Sequence, residues 1–170
     1  MPTKPRRLLL FEDDYESMQD LKEYIEEEIH WEVVLSAQTD ILERLRHEHF
    51  DVVVVDLMIH PTSFDAEGRQ VQNVHFVGVP WVKTGLEFLR RLRRGEFAGE
   101  AGAGDVPAGT PAGTPAGTSP DVPVLILSAV AGYSVTDELG KAIRVNAYVE
   151  KPFRLHDLVM RIRMLVKESG

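Results

Sequence analysis

The 170-residue chain has no cysteine, which excludes disulfides and thiolate metal sites outright. It has no hydrophobic run long enough to span a bilayer. Its basic start, Met1 to Arg7, is followed only by Leu8 to Phe11 before acids intervene, too short for the apolar region of a signal peptide. Excess positive charge is lacking too. The formal charge of −8 argues against nonspecific nucleic-acid binding, which draws on cationic surface. What remains is one soluble, cytoplasmic domain, large enough for a real core at 44% hydrophobic residues.

What is present is most informative at Asp51-Val52-Val53-Val54-Val55-Asp56. Four β-branched residues in a row predict a strand buried on both faces, as inside a parallel sheet. Asp56 stands at its C-terminal tip, where open α/β sheets bind ligands. Leu8-Leu9-Leu10-Phe11 ends likewise in Glu12-Asp13-Asp14. Two buried strands delivering acids at the same end predict one acidic pocket.

The remaining pattern alternates. Arg7 to Phe11, Trp31 to Ser36, Asp51 to Asp56, Val122 to Leu127 and Ala147 to Val149 read as strands. Ser17 to Ile29 carries Met18, Leu21, Ile25 and Ile29 at helical spacing, with Asp14 as a helix-start acid. A short helix bearing Ile41, Leu42 and Leu45 is expected after a cap at Thr39 or Asp40. Further helices are expected over Thr84 to Arg94, stopped by Gly95, over Ser134 to Ile143, and over Leu155 to Lys167. Five β-α units with right-handed crossovers predict a doubly wound parallel sheet with helices on both faces.

Two segments interrupt the rhythm. Residues 95–120 are rich in Gly, Ala, Pro and Thr, with Pro-Ala-Gly-Thr three times in a row at 107–110, 111–114 and 115–118. With so little apolar content, this reads as a flexible surface excursion. Residues 60–83 are different. Val71, Val74, Phe76, Val77, Val79, Trp81 and Val82 suit a small hairpin or cover, with Gly78 near the bend. Leaving from the pocket itself, this segment reads either as an insertion covering its own hydrophobics or as a lid or aromatic docking surface. His60, Asp65 and His75 are scattered and read as ordinary surface residues, not a second metal site. Arg90, Arg91, Arg93 and Arg94 read as a solvated helix face.

Ser128 closes the fourth strand and Lys151 follows the fifth. The strand tips are therefore expected to gather Glu12, Asp13, Asp56, Ser128 and Lys151. Neighbouring carboxylates call for a cation, and all-oxygen ligands suit Mg²⁺. A hydroxyl and an ammonium suit a phosphoryl group.

In this order, the chain resembles the receiver domain of two-component response regulators. The resemblance rests on Leu9 to Asp14, Val53 to Met58, Thr84 to Leu89, Pro123 to Ala129 and Ala147 to Phe153, and covers nearly everything outside the two insertions. It implies a flavodoxin-like, five-stranded sheet of order 2-1-3-4-5. It implies that Asp56 is the phosphoacceptor, served by a histidine kinase or phosphotransfer protein. Asp13 would bind Mg²⁺ directly and Glu12 through water, with Asp56 and the Met58 backbone carbonyl as further ligands. Ser128 and Lys151 would hold the phosphoryl group, and Tyr148 would change rotamer with Ser128. The expected protein is a stand-alone, cytoplasmic signalling receiver, not an enzyme in the ordinary sense. It would act on a downstream target by protein contacts, with neither nucleic acid nor membrane as partner. Receivers often pair through the face formed by the fourth and fifth helices, so the resemblance leaves a homodimer open without implying one.

One departure stands out. The family's Gly-x-Glu element follows the phosphoacceptor closely, whereas Gly85 stands 29 positions after Asp56. That separation bears on kinase access. Two rival functions follow: a phosphorylation-independent binding module working through the insertion, and a phosphatase using Asp56 as a transient nucleophile. The latter wants a second acid close after the nucleophile, which Leu57, Met58 and Ile59 do not supply.

Overall fold

Val52 to Val55 (β3) send alternate side chains into two separate cores. Val53 and Val55 join Leu9, Phe11, Val124 and Ile126, while Val52 and Val54 join Leu8, Leu10, Leu125 and Leu127. This period-two division requires cover on both faces of the sheet. The computed structural model describes residues 4–99, 117–129 and 143–169. The elements are β1 (Arg7–Phe11), α1 (Tyr15–Glu28), β2 (Glu32–Leu35), α2 (Ile41–His47), β3, β4 (Thr62–Phe64), β5 (Gln70–Gln72), a 3-10 turn (Trp81–Lys83), α3 (Thr84–Arg93), β6 (Val124–Ser128), β7 (Ala147–Glu150) and α4 (Leu155–Ser169). The five-stranded parallel sheet has the order β2-β1-β3-β6-β7. Leaving out the small β4-β5 hairpin, that is the expected 2-1-3-4-5. Residues of α2 and α3 fill the first core, and those of α1 and α4 fill the second.

Several local expectations change. Helix α1 begins at Tyr15, two residues before Ser17, because the Asp14 side chain accepts a hydrogen bond from the Ser17 N–H at 3.2 Å. Asp40 precedes α2 but makes no side-chain cap bond. Gly95 does end α3, with a φ of +85° that glycine adopts freely. The helix expected over Ser134 to Ile143 lies outside the described residues, apart from the buried Ile143.

The 60–83 insertion is a hairpin, but its bend falls at Gly68 (φ +78°) rather than Gly78. Gly78 instead turns the chain between Phe76 and Val79. Val74 and Phe76 enter the first core, whereas Val77 is 97% exposed and Trp81 42%. Asn73, buried, stitches the hairpin to the domain. Its amide donates to the His60 carbonyl at 2.8 Å and to Ser63 Oγ at 2.9 Å, and its Oδ1 accepts from the Tyr15 hydroxyl at 2.7 Å. Tyr15 in turn accepts from the Ala37 N–H at 3.1 Å.

Both insertions close at their bases through glycine. The Gly85 N–H donates to the Leu57 carbonyl at 2.9 Å. A Cβ on Gly85 would stand 2.2 Å from the Asp56 carbonyl oxygen. Only glycine lets α3 lie that close to the end of β3. At the second insertion, the Thr118 N–H is shared between the Leu45 and Phe97 carbonyls at 2.9 and 2.8 Å. A Cβ on Gly117 would stand 2.2 Å from the Phe97 carbonyl oxygen. Phe97 and Thr118 are buried, so the ends of the expected loose excursion are part of the packed domain.

Gly85→Ala is expected to destabilise the fold by at least ~2 kcal/mol, since backbone must shift to admit the methyl group. Urea unfolding measures it, and an unchanged midpoint would contradict the close approach. Because Gly117 touches the Phe97–Ala98 backbone, exchanging residues 100–116 for a short Gly/Ser linker is expected to change stability by no more than ~1 kcal/mol. The same unfolding assay reads this.

Candidate functional site

Parallel register brings the acids together. Phe11 lies opposite Val55, so the next residues, Glu12 and Asp56, leave adjacent strands side by side. Ser128 lies opposite Glu150, and the Lys151 N–H donates to the Ser128 carbonyl at 3.0 Å. From there the Lys151 ammonium donates to Glu12 Oε2 at 2.6 Å and to Asp56 Oδ2 at 3.0 Å. The other Glu12 oxygen accepts the Asp13 and Asp14 N–H groups at 3.1 and 3.2 Å. Asp56 Oδ1 accepts the Met58 N–H at 3.0 Å, which fixes the carboxylate plane at the strand end.

Charge is out of balance here. Glu12, Asp13 and Asp56 each offer a carboxylate oxygen within 4.8 Å of the others, and the Lys151 ammonium pairs with two of the three. Glu12 is buried, and burial together with the nearby Asp56 charge pushes its carboxyl up to about 9, despite the opposing pull of Lys151. Burial also disfavours the Lys151 ammonium, but Glu12 and Asp56 outweigh it and hold that group above its ordinary range. A proton-hungry cluster of oxygens is what a hard dication neutralises, and the donor set fits Mg²⁺. Among the described residues, this is the group of acids and histidines close enough together for a metal. The His60 imidazole contacts the Thr62 carbonyl instead, and Asp65 holds Arg69.

Ser128 is fully buried at the tip of β6. Tyr148 lies on β7 opposite Ile126, partly buried against the first core. Burial raises its phenol's pKa, and the Glu150 and Asp56 charges add to this. Met58 stands two residues beyond Asp56, part-exposed.

The insertion borders this cluster. The His60 N–H donates to Asp13 Oδ2 at 2.8 Å, and the His60 ring lies 5.5 Å from that of Trp81. Sequence patterning did not reveal this contact, nor the Tyr15–Asn73 bond behind it. The solvated face expected of the four arginines holds for Arg90 and Arg94, which are exposed, and fails at Arg93. Arg90, Arg91 and Arg94 converge on Glu87, and Arg91 also stacks 4.3 Å over the Phe76 ring. Arg93 is half-buried and donates to the Arg144, Pro120 and Val122 carbonyls. A run of four arginines gives no signal of which one turns inward.

No family model and no curated protein matches the chain. Solved structures do. A receiver domain of a Francisella response regulator aligns with a TM-score of 0.61 at 20% identity, covering 98% of this chain and 100% of that one. The chemotaxis protein CheY4 of Vibrio cholerae aligns at 0.61 and 18%, covering 95% and 99%. The fold is that of a response regulator receiver domain. A third such receiver, from a Pseudomonas aeruginosa sensor histidine kinase, aligns at 0.56 and 16%, covering 96% and 99%, and was solved with magnesium coordinated in its active-site cleft. In the present receiver fold, no described helix is long and apolar enough to cross a membrane.

A carboxyl whose folded-state pKa is raised stabilises the fold below its unfolded value and loses that contribution as pH climbs toward the folded one. For Glu12 the window runs from 4.5 to about 9. Without divalent cations, stability is expected to fall across it, by at most roughly 1.4 kcal/mol per pH unit from this one group. Glu12→Gln is expected to flatten the slope. Saturating Mg²⁺ is expected to raise the melting temperature of the parent protein but not of Asp13→Asn. Thermal melts across pH, with and without Mg²⁺, check all three outcomes.

Proposed function

We propose that the chain is a phosphoacceptor signalling protein that takes a phosphoryl group on Asp56. The observation that carries this reading is the Lys151 ammonium bridging Asp56 and Glu12 beside Asp13. The donor would be a phosphohistidine of a histidine kinase or phosphotransfer protein. An Asp56 carboxylate oxygen attacks phosphorus in line, opposite the imidazole nitrogen. The O–P bond forms as the P–N bond breaks, and the imidazole departs with the electron pair and takes up a proton from solvent. Lys151 releases its hold on Asp56 Oδ2 and meets the incoming phosphoryl oxygens, and the Ser128 hydroxyl donates to them. The Met58 N–H keeps the other Asp56 oxygen oriented.

Asp13, Asp56, Glu12 and the Met58 carbonyl would hold Mg²⁺. When bound, the ion supplies neutralising charge for the crowded oxygens. Phosphorylation adds about −1.5 to −2 charge beside Ser128 and Lys151. That change, with Tyr148 on the neighbouring strand, biases the surface near β7 and α4 toward a state read by a downstream target. The setting would be cytoplasmic, with the output carried by protein contacts, a homodimer included.

One observation favours a second reading. Phe64, Val77, Trp81 and Val82 of the insertion are all exposed, so this face could serve as a phosphorylation-independent binding surface.

Incubation with Mg²⁺ and acetyl phosphate, read by intact mass, is expected to give one phosphoryl adduct on the parent protein and none on Asp56→Asn. Lys151→Ala is expected to lower the yield at least ~10-fold. An unmodified parent protein, folded and Mg²⁺-bound by melting, would remove the phosphoacceptor reading and favour the second.

A further inference from the structure

Arg6 and Arg7 are neighbours at the entry edge of the sheet, but alternation sends them to opposite faces. Arg7 lies 4.7 Å over Phe50, on the first core, and its charge is met by Glu32 and Glu48. Arg6 lies 5.7 Å over the ring of Trp31, which packs on the second core. There it meets a recess of about 280 Å³ lined by Arg6, Glu28, Ile29, Trp31, Arg163 and Lys167.

The charge in this recess is one-sided. Three cations face one carboxylate, in a protein whose total charge is −8. Among the described residues, neither Arg6, Arg163 nor Lys167 forms a salt bridge, although most other described arginines do. Arg163 and Lys167 stand four apart on α4, so they share a face and repel one another. An arrangement that gathers three cations about one carboxylate is stabilised by a further anion from solution.

The recess is also held in shape. The Arg6 carbonyl accepts the Glu32 N–H at 2.9 Å, which ties the start of β1 to that of β2. Between the two lining residues Ile29 and Trp31, His30 sits at φ +56°, in the left-handed region. That turn brings the Trp31 ring back beneath Arg6, where the guanidinium is oriented by the aromatic face.

We propose that this recess binds a small phosphate-bearing anion. Two arginines supply planar, paired donors and Lys167 a mobile point charge, the combination that suits tetrahedral phosphate oxygens. The volume accommodates a phosphate or diphosphate group and part of what carries it. A recess of about 280 Å³ holds one or two phosphate groups rather than an extended polyanion, so the ligand is a soluble small molecule. The recess lies at the strand-entry edge, opposite the acid cluster, and does not depend on phosphorylation of Asp56.

Pyrophosphate without divalent cation is the probe. Trp81→Phe removes the only other tryptophan and leaves Trp31 as the fluorophore. Titration is expected to give a saturable change in Trp31 emission. Arg163→Gln with Lys167→Gln, and separately Arg6→Gln, are each expected to weaken it at least about ten-fold. Asp56→Asn is expected to leave it unaltered. Absence of a saturable change, an equal change with chloride at matched ionic strength, or parent-like affinity in the double variant would each overturn the proposal. Circular dichroism confirms that each variant is folded. Acetyl phosphate modification of the double variant, read by intact mass, shows separately whether the Asp56 chemistry holds, whichever way the titration falls.

Discussion

One ammonium between two carboxylates organises this molecule's acid edge. Lys151 comes from the end of β7, the edge strand, and reaches past β6 to acids on β1 and β3. Three parallel strands are thus tied at one end by a single side chain, and the Lys151 N–H on the Ser128 carbonyl ties in β6. The parallel arrangement makes this possible, since it delivers every strand's C-terminal residue to the same edge. It also makes it necessary, because Glu12, Asp13 and Asp56 cannot all stay ionised within 4.8 Å without a compensating charge. Lys151 supplies only part of that charge. The remaining negative charge is of the kind a hard dication would neutralise.

The insertion after Asp56 would be expected to disturb such a site, but the chain isolates it. Gly85 brings the start of α3 against the Asp56 and Leu57 backbone, so β3 and α3 meet as though nothing lay between them. The excluded hairpin is then pinned sideways through Asn73 and Tyr15, towards α1 and the loop after β2. It touches the acid cluster through the His60 N–H on Asp13. That donor is a neutral backbone N–H, so the contact adds no charge to the cluster. The insertion therefore borders the site and shapes its rim. Asp13 remains part-exposed, and Lys151 keeps 22% of its side chain accessible.

What could be read from sequence followed from periodicity. Val52 to Val55 had to be buried on both faces, and Glu12, Asp56 and Lys151 had to reach one edge once the strands were parallel. What could not be read depends on single long-range bonds. Nothing local marks Asn73 as the residue that fastens the hairpin, or Gly68 rather than Gly78 as its bend. Phe97 and Thr118 sit within a stretch of low-complexity composition, yet both are buried, because composition averages over the few residues that pack. Arg93 shows the same limit. Its three carbonyl acceptors come from segments 27 to 51 residues away, a distance over which no helical pattern carries information.

The sheet also sorts charge along its length. At the exit edge, three acids from two loops converge and draw in Lys151. At the entry edge, the positive start of β1 divides across the two faces. Arg7 takes up the carboxylates of Glu32 and Glu48, and its backbone N–H takes Asp51 at 2.7 Å. That leaves Arg6 on the far face with two further cations from α4 and only Glu28 near. The imbalance there follows from the alternation that places Val52 and Val53 in different cores. Once the acids of the β2 and β3 entry loops are committed to Arg7, strand geometry prevents them from reaching Arg6. A cationic recess on the second face is thus a consequence of the register, in the same way that the acidic cluster is a consequence of the strands being parallel.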